Sequence, residues 1–144
     1  MMSFINDAIL EALNSNNFGV TKLNDEQALA LRGRLYAKFA PKFLTGCLWE
    51  FIENEASRHL PDGWRSLGRY PYQGEVVLFF DQHDESHMYV IDNLKNLVRV
   101  LEECPGFVFY VANQSGNFLL CHNDHDYLIG AGDARNWIQF VSSK

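Results

Sequence analysis

Short apolar runs separated by brief polar turns fill the second half of this chain. Valine, isoleucine, leucine and aromatic residues dominate the runs, which is typical of strands. The runs cover residues 75–81, 87–91, 107–112, 118–121 and 126–130. The polar segments 82–86 and 113–117 are too short for anything but a turn between antiparallel strands, because parallel strands need a long crossover. The sequence therefore predicts hairpins and a mostly antiparallel sheet.

Apolar residues at helical spacing occur mainly before this sheet-forming half. They predict helices over 4–14, from Asn24 to the residue before Pro41, over 45–60, after Asp92 and after Asp133. Ser3, Asn24, Asp92 and Asp133 are the predicted N-caps. At 144 residues the chain has the length of one domain. We expect a single α+β domain over 1–144, with a mostly antiparallel sheet formed by the C-terminal half and packed with N-terminal helices and a C-terminal helix.

Acidic residues are concentrated in the sheet-forming half. The whole chain has 18 Asp and Glu against 12 Lys and Arg, a formal net charge of −6. Residues 75–133 hold ten of the acids and two of the bases, which gives −8 for that segment. Nucleic acids and anionic membranes need a positive surface, so we expect neither as a partner.

The cysteines and the N-terminus suggest a cellular compartment. Cys47, Cys104 and Cys121 are odd in number and widely spaced, which is typical of buried thiols in a reducing environment. The first residues lack the basic start and apolar run of a signal peptide, and no segment is apolar enough to span a bilayer. We expect a cytoplasmic protein; the sequence does not indicate its oligomeric state.

Much of the acidic surplus falls in two turn segments, 81–85 and 124–126. Turns lie at the surface, so these carboxylates predict a negative potential along part of the rim of the sheet. Such a rim could simply keep the protein soluble, or it could be a docking face for a basic protein. Under the docking hypothesis, the partner-binding residues are Asp84, Glu85, Asp124 and Asp126, with Tyr89 and Tyr127 as aromatic anchors if they are exposed.

The segment 121–126 is also the densest cluster of potential metal ligands. Imidazole and carboxylate groups suit zinc, so an alternative hypothesis is a small metal-dependent enzyme that uses His122, His125 and Asp126. His83 and His87, four residues apart, could join that site. The bland interpretation is that His and Asp side chains in a turn bond the backbone and set its bend. We favour that interpretation, and predict no catalytic residues, no metal and no cofactor.

The run Phe118-Leu119-Leu120-Cys121-His122-Asn123-Asp124-His125-Asp126-Tyr127-Leu128-Ile129-Gly130-Ala131-Gly132 resembles a known pattern. It is similar to the C-terminal signature of small bacterial immunity or antitoxin proteins of polymorphic toxin systems, some of them grouped near the SUKH superfamily. The resemblance covers about residues 75–140; Asp124 stands where the pattern has the first histidine of a doublet. It implies a non-catalytic α+β protein that neutralises a cognate toxin. A structural or regulatory subunit of another complex is a third hypothesis, and the sequence does not distinguish it from an immunity protein.

Overall fold

The computed structural model describes residues 4–16, 20–104 and 106–141. The helices are α1 (Phe4–Asn16), α2 (Asp25–Phe39), α3 (Leu94–Glu102) and α4 (Arg135–Ile138), with the 3₁₀ helices η1 (Leu48–Glu50) and η2 (Gly63–Arg69). The strands are β1 (Val20–Lys22), β2 (Ala56–His59), β3 (Val76–Phe79), β4 (Tyr89–Ile91), β5 (Phe109–Ala112), β6 (Phe118–His122) and β7 (Tyr127–Gly132).

These strands form one sheet in the order β1-β4-β3-β5-β6-β7-β2, and every neighbouring pair is antiparallel. The five central strands all come from the C-terminal half, and the two edge strands come from the N-terminal half. The predicted α+β class and the predicted hairpins β3–β4 and β5–β6 are therefore confirmed. The connections over 80–88 and 113–117 are too short for the crossover that parallel strands require, which explains the antiparallel pairing.

Both faces of the sheet are covered by helical layers. Side chains from α1, α3, α4 and η2 form the core on one face, and side chains from α2 and η1 form the core on the other. In β3, Val76 and Leu78 point to the first core, whereas Val77 and Phe79 point to the second. Burial on both faces explains why the strands are continuously apolar instead of alternating with polar residues.

Helix α2 begins as its sequence predicts. The Asn24 side chain accepts a hydrogen bond from the Gln27 backbone N–H at 2.8 Å, and the Gln27 side chain accepts one from the Asn24 N–H at 3.1 Å. This reciprocal pair is a capping box. The buried Arg32 then fastens the helix to the sheet, donating to the Phe80 carbonyl at 3.0 Å and to the Tyr36 hydroxyl at 2.9 Å.

The helix predicted over 45–60 is wrong. The segment contains only η1, followed by a bend at Asn54, which has a φ of 57°, and then the edge strand β2. Asparagine tolerates this left-handed conformation better than most residues, and it ends any helix there. Strand β2 then pairs with β7 along four residues, so hydrogen bonding to a distant strand outweighs the local helical periodicity.

Two predicted N-caps are also wrong. Asn93 rather than Asp92 caps α3, because its side chain accepts from the Asn96 N–H at 2.8 Å. Helix α4 starts after Ala134 and has no side-chain cap, so Asp133 does not play that part. The predicted cap Ser3 lies outside the described residues.

Candidate functional site

The turn between β6 and β7 is shaped by Asn123. Its side-chain oxygen accepts hydrogen bonds from the backbone N–H groups of His125 and Tyr127, both at 3.0 Å. Asp126 closes the turn with a φ of 64°, a conformation that aspartate tolerates. The bend is therefore set by the Asn123 side chain bonded to the backbone. The side chains of His122 and His125 make other contacts.

His122 is a buried structural residue. Its ring stacks on Phe109 with centroids 6.3 Å apart, and its Nε2–H donates to the Leu60 carbonyl at 3.0 Å. This bond ties the end of β6 to the segment that follows β2. Since a carbonyl oxygen only accepts, the Nε2 nitrogen is committed as a donor and is not available to a metal ion.

His125 lies on the other side of the turn. Its ring forms a T-shaped pair with that of Trp49, with centroids 5.7 Å apart, and its Nε2 lies 3.8 Å from an Asp124 carboxylate oxygen. His122 and His125 thus line two different clefts, one on each side of the turn. In the part of the chain that the structure describes, no three His, Cys, Asp or Glu side chains come together as metal ligands.

His83 and His87 each pair with a carboxylate beside them in sequence. The Nε2 of His83 lies 3.4 Å from Asp84, and the Nδ1 of His87 lies 2.5 Å from Glu85. Neither histidine joins the ones near Asn123 to form a group of metal ligands among the described residues. In the described ranges, the ligands of the alternative hypothesis therefore do not lie together in one group of three or more.

Two of the predicted partner-binding residues are buried, so Glu85 does not have the surface position expected of a turn residue, and Tyr89 does not meet the condition of being exposed. Glu85 is 5% exposed because its carboxylate folds back to accept the backbone N–H of His87 at 2.8 Å. Tyr89 is 0% exposed, and its hydroxyl lies 2.5 Å from the Asn6 side-chain oxygen of α1. Both side chains are held by hydrogen bonds inside the protein and lie below its surface.

The other four predicted residues are exposed. They are Asp84, Asp124 and Asp126, and Tyr127, which is 40% exposed and packs edge-on against His59 at 5.2 Å. The register shows that they share one end of the sheet, because β3 and β6 finish there whereas β5 and β7 begin there. The sequence places these residues in two separate turns, and the fold brings the two turns to the same end.

Segments outside the two turns also contact this end of the sheet. The Leu48 N–H of η1 donates to Asp81 at 2.7 Å, and the Leu60 N–H after β2 donates to the Asp126 carbonyl at 2.9 Å. Leu101 at the end of α3 lines the same cleft as Asp126. The segments that carry Glu50, Asp62, Glu102 and Glu103 therefore reach the same end of the sheet as the two turns. The exposed carboxylates there are Glu50, Asp62, Asp84, Glu102, Glu103, Asp124 and Asp126, and we call this set the acidic end.

The pKa of the Cys47 thiol reflects several of these negative charges. Its pKa is raised above the ordinary value, first by burial and then by the negative charges of Asp81, Glu50, Asp124 and Asp84. Carboxylates from the loop after β3, from η1 and from the β6–β7 turn all act on this one sulfur atom. Because Coulomb interactions weaken with distance, each of these carboxylates lies in the neighbourhood of Cys47.

Basic residues are bound at the opposite end of the sheet. There the turn between β5 and β6 receives Arg34, which donates to the Gln114 carbonyl at 3.0 Å, and Lys38, which donates to the Gly116 carbonyl at 2.5 Å. At the acidic end, Arg65 lies 3.3 Å from Glu102 in an exposed pair, which screens only part of the negative charge. Exposed acids also lie at the opposite end, namely Glu75, Asp92 and Asp133, so the two ends differ in the number of carboxylates and not in the sign of every charge.

Two clefts flank the β6–β7 turn at the acidic end. The first has a volume of about 490 Å³ and runs between α3 and the turn, past Trp64, Phe107 and His122. The second has a volume of about 440 Å³ and lies between η1, β2 and β7, beside Trp49 and His125. The turn thus forms a ridge with a groove on each side, all of it on the most acidic part of the surface.

Trp49, Glu50 and Glu55 line the second cleft, and the sequence analysis did not single them out. It missed them because it placed all three on a helix over 45–60. The polar run from Glu53 to Glu55, with Asn54 at its centre, was a usable signal of a bend, since asparagine adopts a positive φ more readily than most residues.

Comparison of the chain with protein-family models, with curated proteins and with solved structures found no match. Among the described residues, no helix has the length and apolar character that crossing a membrane requires. What the site does is therefore inferred from its geometry and charge.

Proposed function

We propose that this protein is a non-catalytic immunity protein that binds and neutralises a cognate basic bacterial toxin through its acidic end. The observation that carries the proposal is the convergence of seven exposed carboxylates from five separate segments on one end of the sheet. The resemblance of residues 75–140 to immunity proteins of polymorphic toxin systems supports the same function.

Charge gathered on one end favours fast and selective binding of a cationic protein. Seven carboxylates on one surface create a potential that steers a basic partner toward that surface and repels acidic competitors. Spread evenly, the same charges would serve solubility equally well. Seven exposed carboxylates at one end, against Glu75, Asp92 and Asp133 at the other, favour docking over a role in solubility alone.

The acidic end is also built to hold its shape. Asn123 fixes the ridge through two backbone hydrogen bonds. The buried Asp81 carboxylate fixes the neighbouring loop by accepting from Leu48 and from the Tyr110 hydroxyl at 2.9 Å. A surface that is ordered before binding loses little conformational entropy on binding. A rigid ridge of carboxylates suits insertion into a basic groove, including one that binds the phosphates of a nucleic acid.

The proposal is tested by cloning the genes that neighbour this one and asking whether any of them encodes a toxin that this protein neutralises. We expect co-expression of this protein to restore growth of cells that express the toxin domain, and the purified proteins to form a stoichiometric complex that high salt weakens. Restored growth without a complex, or a complex whose affinity does not change with salt, would contradict the proposal. Stoichiometric zinc in protein purified without added metal would instead favour the metal-dependent enzyme.

A further inference from the structure

The cleft of about 440 Å³ beside η1 has a chemistry of its own. Its walls include Trp49, His125 and Tyr127 as aromatic surfaces and Glu50, Glu55 and Ser57 as polar groups. We call it the Trp49 cleft. Its volume lies within the range of roughly 300–1,000 Å³ that is common for ligand sites. Among the described residues that line it, there is no lysine or arginine.

The aromatic wall is preassembled. The rings of Trp49 and His125 meet edge to face at 77°, and Tyr127 is packed in the same manner against His59. The Trp49 backbone N–H donates to the Tyr110 hydroxyl at 3.0 Å. This bond holds the backbone from which the indole projects. A tryptophan face held beside two carboxylates attracts a cation both through its ring quadrupole and through Coulomb attraction.

Arginine side chains of this protein lie over aromatic rings at two other places. The guanidinium of Arg65 lies 4.4 Å from the ring centroid of Trp64, on the far side of the ridge. Arg32 lies in a similar way over the rings of Tyr36 and Phe79. Within the described ranges no lysine or arginine of the chain lies over Trp49. Its ring and its two acidic neighbours are therefore left for a cation from outside.

We propose that the Trp49 cleft receives one arginine side chain of the toxin. This inference rests on the proposed function and specifies one contact between this protein and the toxin. A planar guanidinium stacks on an indole ring while its fixed fork of N–H groups donates to carboxylates beside the ring, whereas a lysine ammonium has no plane to stack. The cleft shares its Asn123–Tyr127 wall with the ridge, so a protein docked on the acidic end also covers the cleft.

The first test uses the intact protein and a small probe. We expect N-acetyl-arginine amide to shift the Trp49 indole N–H signal in ¹⁵N-correlated NMR spectra in a saturable manner, with a dissociation constant of the order of millimolar. A Trp49→Phe variant assigns the signal. N-acetyl-citrulline amide, which has the same shape without the charge, should cause no saturable shift. Equal shifts by citrulline, or arginine shifts confined to other tryptophans, would overturn the proposal.

The specificity of the cleft is tested with two double variants of equal charge. We expect Glu50→Gln with Glu55→Gln to weaken arginine binding about tenfold, because both carboxylates are lost. Glu75→Gln with Asp92→Asn, at the opposite end of the sheet, should change it less than about twofold. Equal effects of the two pairs, or equal affinity for N-acetyl-lysine amide, would contradict the assignment of an arginine.

The source of the arginine is tested with the toxin itself. If the toxin supplies it, the Glu50→Gln, Glu55→Gln pair should weaken neutralisation about tenfold relative to the Glu75→Gln, Asp92→Asn pair. Normal neutralisation by the first pair, together with arginine binding to the wild type, would overturn the toxin as the source while leaving the proposed function intact. Absence of any neutralisation by the wild type would contradict the proposed function separately.

Discussion

Replacing the buried Asp81 tests how the acidic end is held together. The carboxylate is 1% exposed and accepts from the Leu48 N–H at 2.7 Å and from the Tyr110 hydroxyl at 2.9 Å. The same hydroxyl accepts from the Trp49 N–H at 3.0 Å. Asp81 is thus the terminal acceptor of a short network that attaches η1, and with it Trp49, to the end of β3.

The size of the effect follows from the two donors that lose their acceptor. In Asp81→Ala, the Leu48 N–H and the Tyr110 hydroxyl are left buried, and each unsatisfied group costs about 1–3 kcal/mol. Removal of a buried carboxylate returns part of this, so we expect a net loss of about 2–4 kcal/mol in the free energy of unfolding. Asp81→Asn keeps an acceptor oxygen in place and should cost about 0–1 kcal/mol.

Urea unfolding followed by far-ultraviolet circular dichroism measures both changes, since the free energy of unfolding is linear in denaturant concentration. A loss in Asp81→Ala below about 1 kcal/mol, or equal losses in the two variants, would refute the proposed network.

The pH dependence of the same comparison has a definite sign. Burial raises the pKa of Asp81, although the hydrogen bonds from Leu48 and Tyr110 oppose the shift. A carboxyl with a raised folded-state pKa contributes most stability below its unfolded pKa and loses that contribution as the pH rises through the folded value. Wild type should therefore lose stability relative to Asp81→Asn as the pH rises from the unfolded-state pKa of about 4 through the higher folded-state pKa. A constant difference would contradict the raised pKa.

Three further variants test packing, thiol chemistry and the buried tyrosine. Gly130→Ala places a Cβ atom 2.4 Å from Ile138 Cγ1 and should cost at least about 1–3 kcal/mol, whereas Gly33→Ala on α2 meets no atom within 4 Å and should stabilise by about 0.5–1 kcal/mol. Urea titrations of both decide this, and equal effects would refute it. Burial raises the pKa of the Cys104 thiol to about 11. Near pH 8 this thiol should therefore react with a disulfide reagent at least about tenfold more slowly than free cysteine. Stopped-flow measurement of the rate in a Cys47→Ser background tests this, and a rate like that of free cysteine counts against it. Tyr89→Phe should lose about 1 kcal/mol of stability with the hydroxyl bond but keep full affinity for the toxin, since the ring is buried; weaker binding by the folded variant would show that Tyr89 contacts the partner.

Local patterns predicted the elements that depend on near neighbours in sequence. The capping box of Asn24 and Gln27 lies within four residues, and the hairpin turns over 82–86 and 113–117 are equally local. These signals gave the start of α2 and the antiparallel pairing correctly. They also placed Asp84, Asp124 and Asp126 in turns, where the structure has them exposed.

The errors arise where distant residues decide the outcome. The segment 45–60 has helical spacing, yet β2 forms because β7 offers it a hydrogen-bonding edge. Tyr89 is buried because α1 supplies the Asn6 oxygen, 83 positions earlier in the chain. No local pattern records such partners, so the sequence located the acidic turns but missed the Trp49 cleft, whose walls come from η1, β2 and β7.

The most direct test of the account is a calorimetric comparison of toxin binding by two triple variants that lose the same charge. One carries Asp84→Asn, Asp124→Asn and Asp126→Asn at the acidic end; asparagine tolerates the positive φ at position 126. The other carries Glu75→Gln, Asp92→Asn and Asp133→Asn, all outside the acidic end. We predict that the first binds the toxin roughly 10–100-fold more weakly than wild type and with a smaller salt dependence, whereas the second keeps wild-type affinity. Equal affinities of the two variants would contradict recognition through the acidic end.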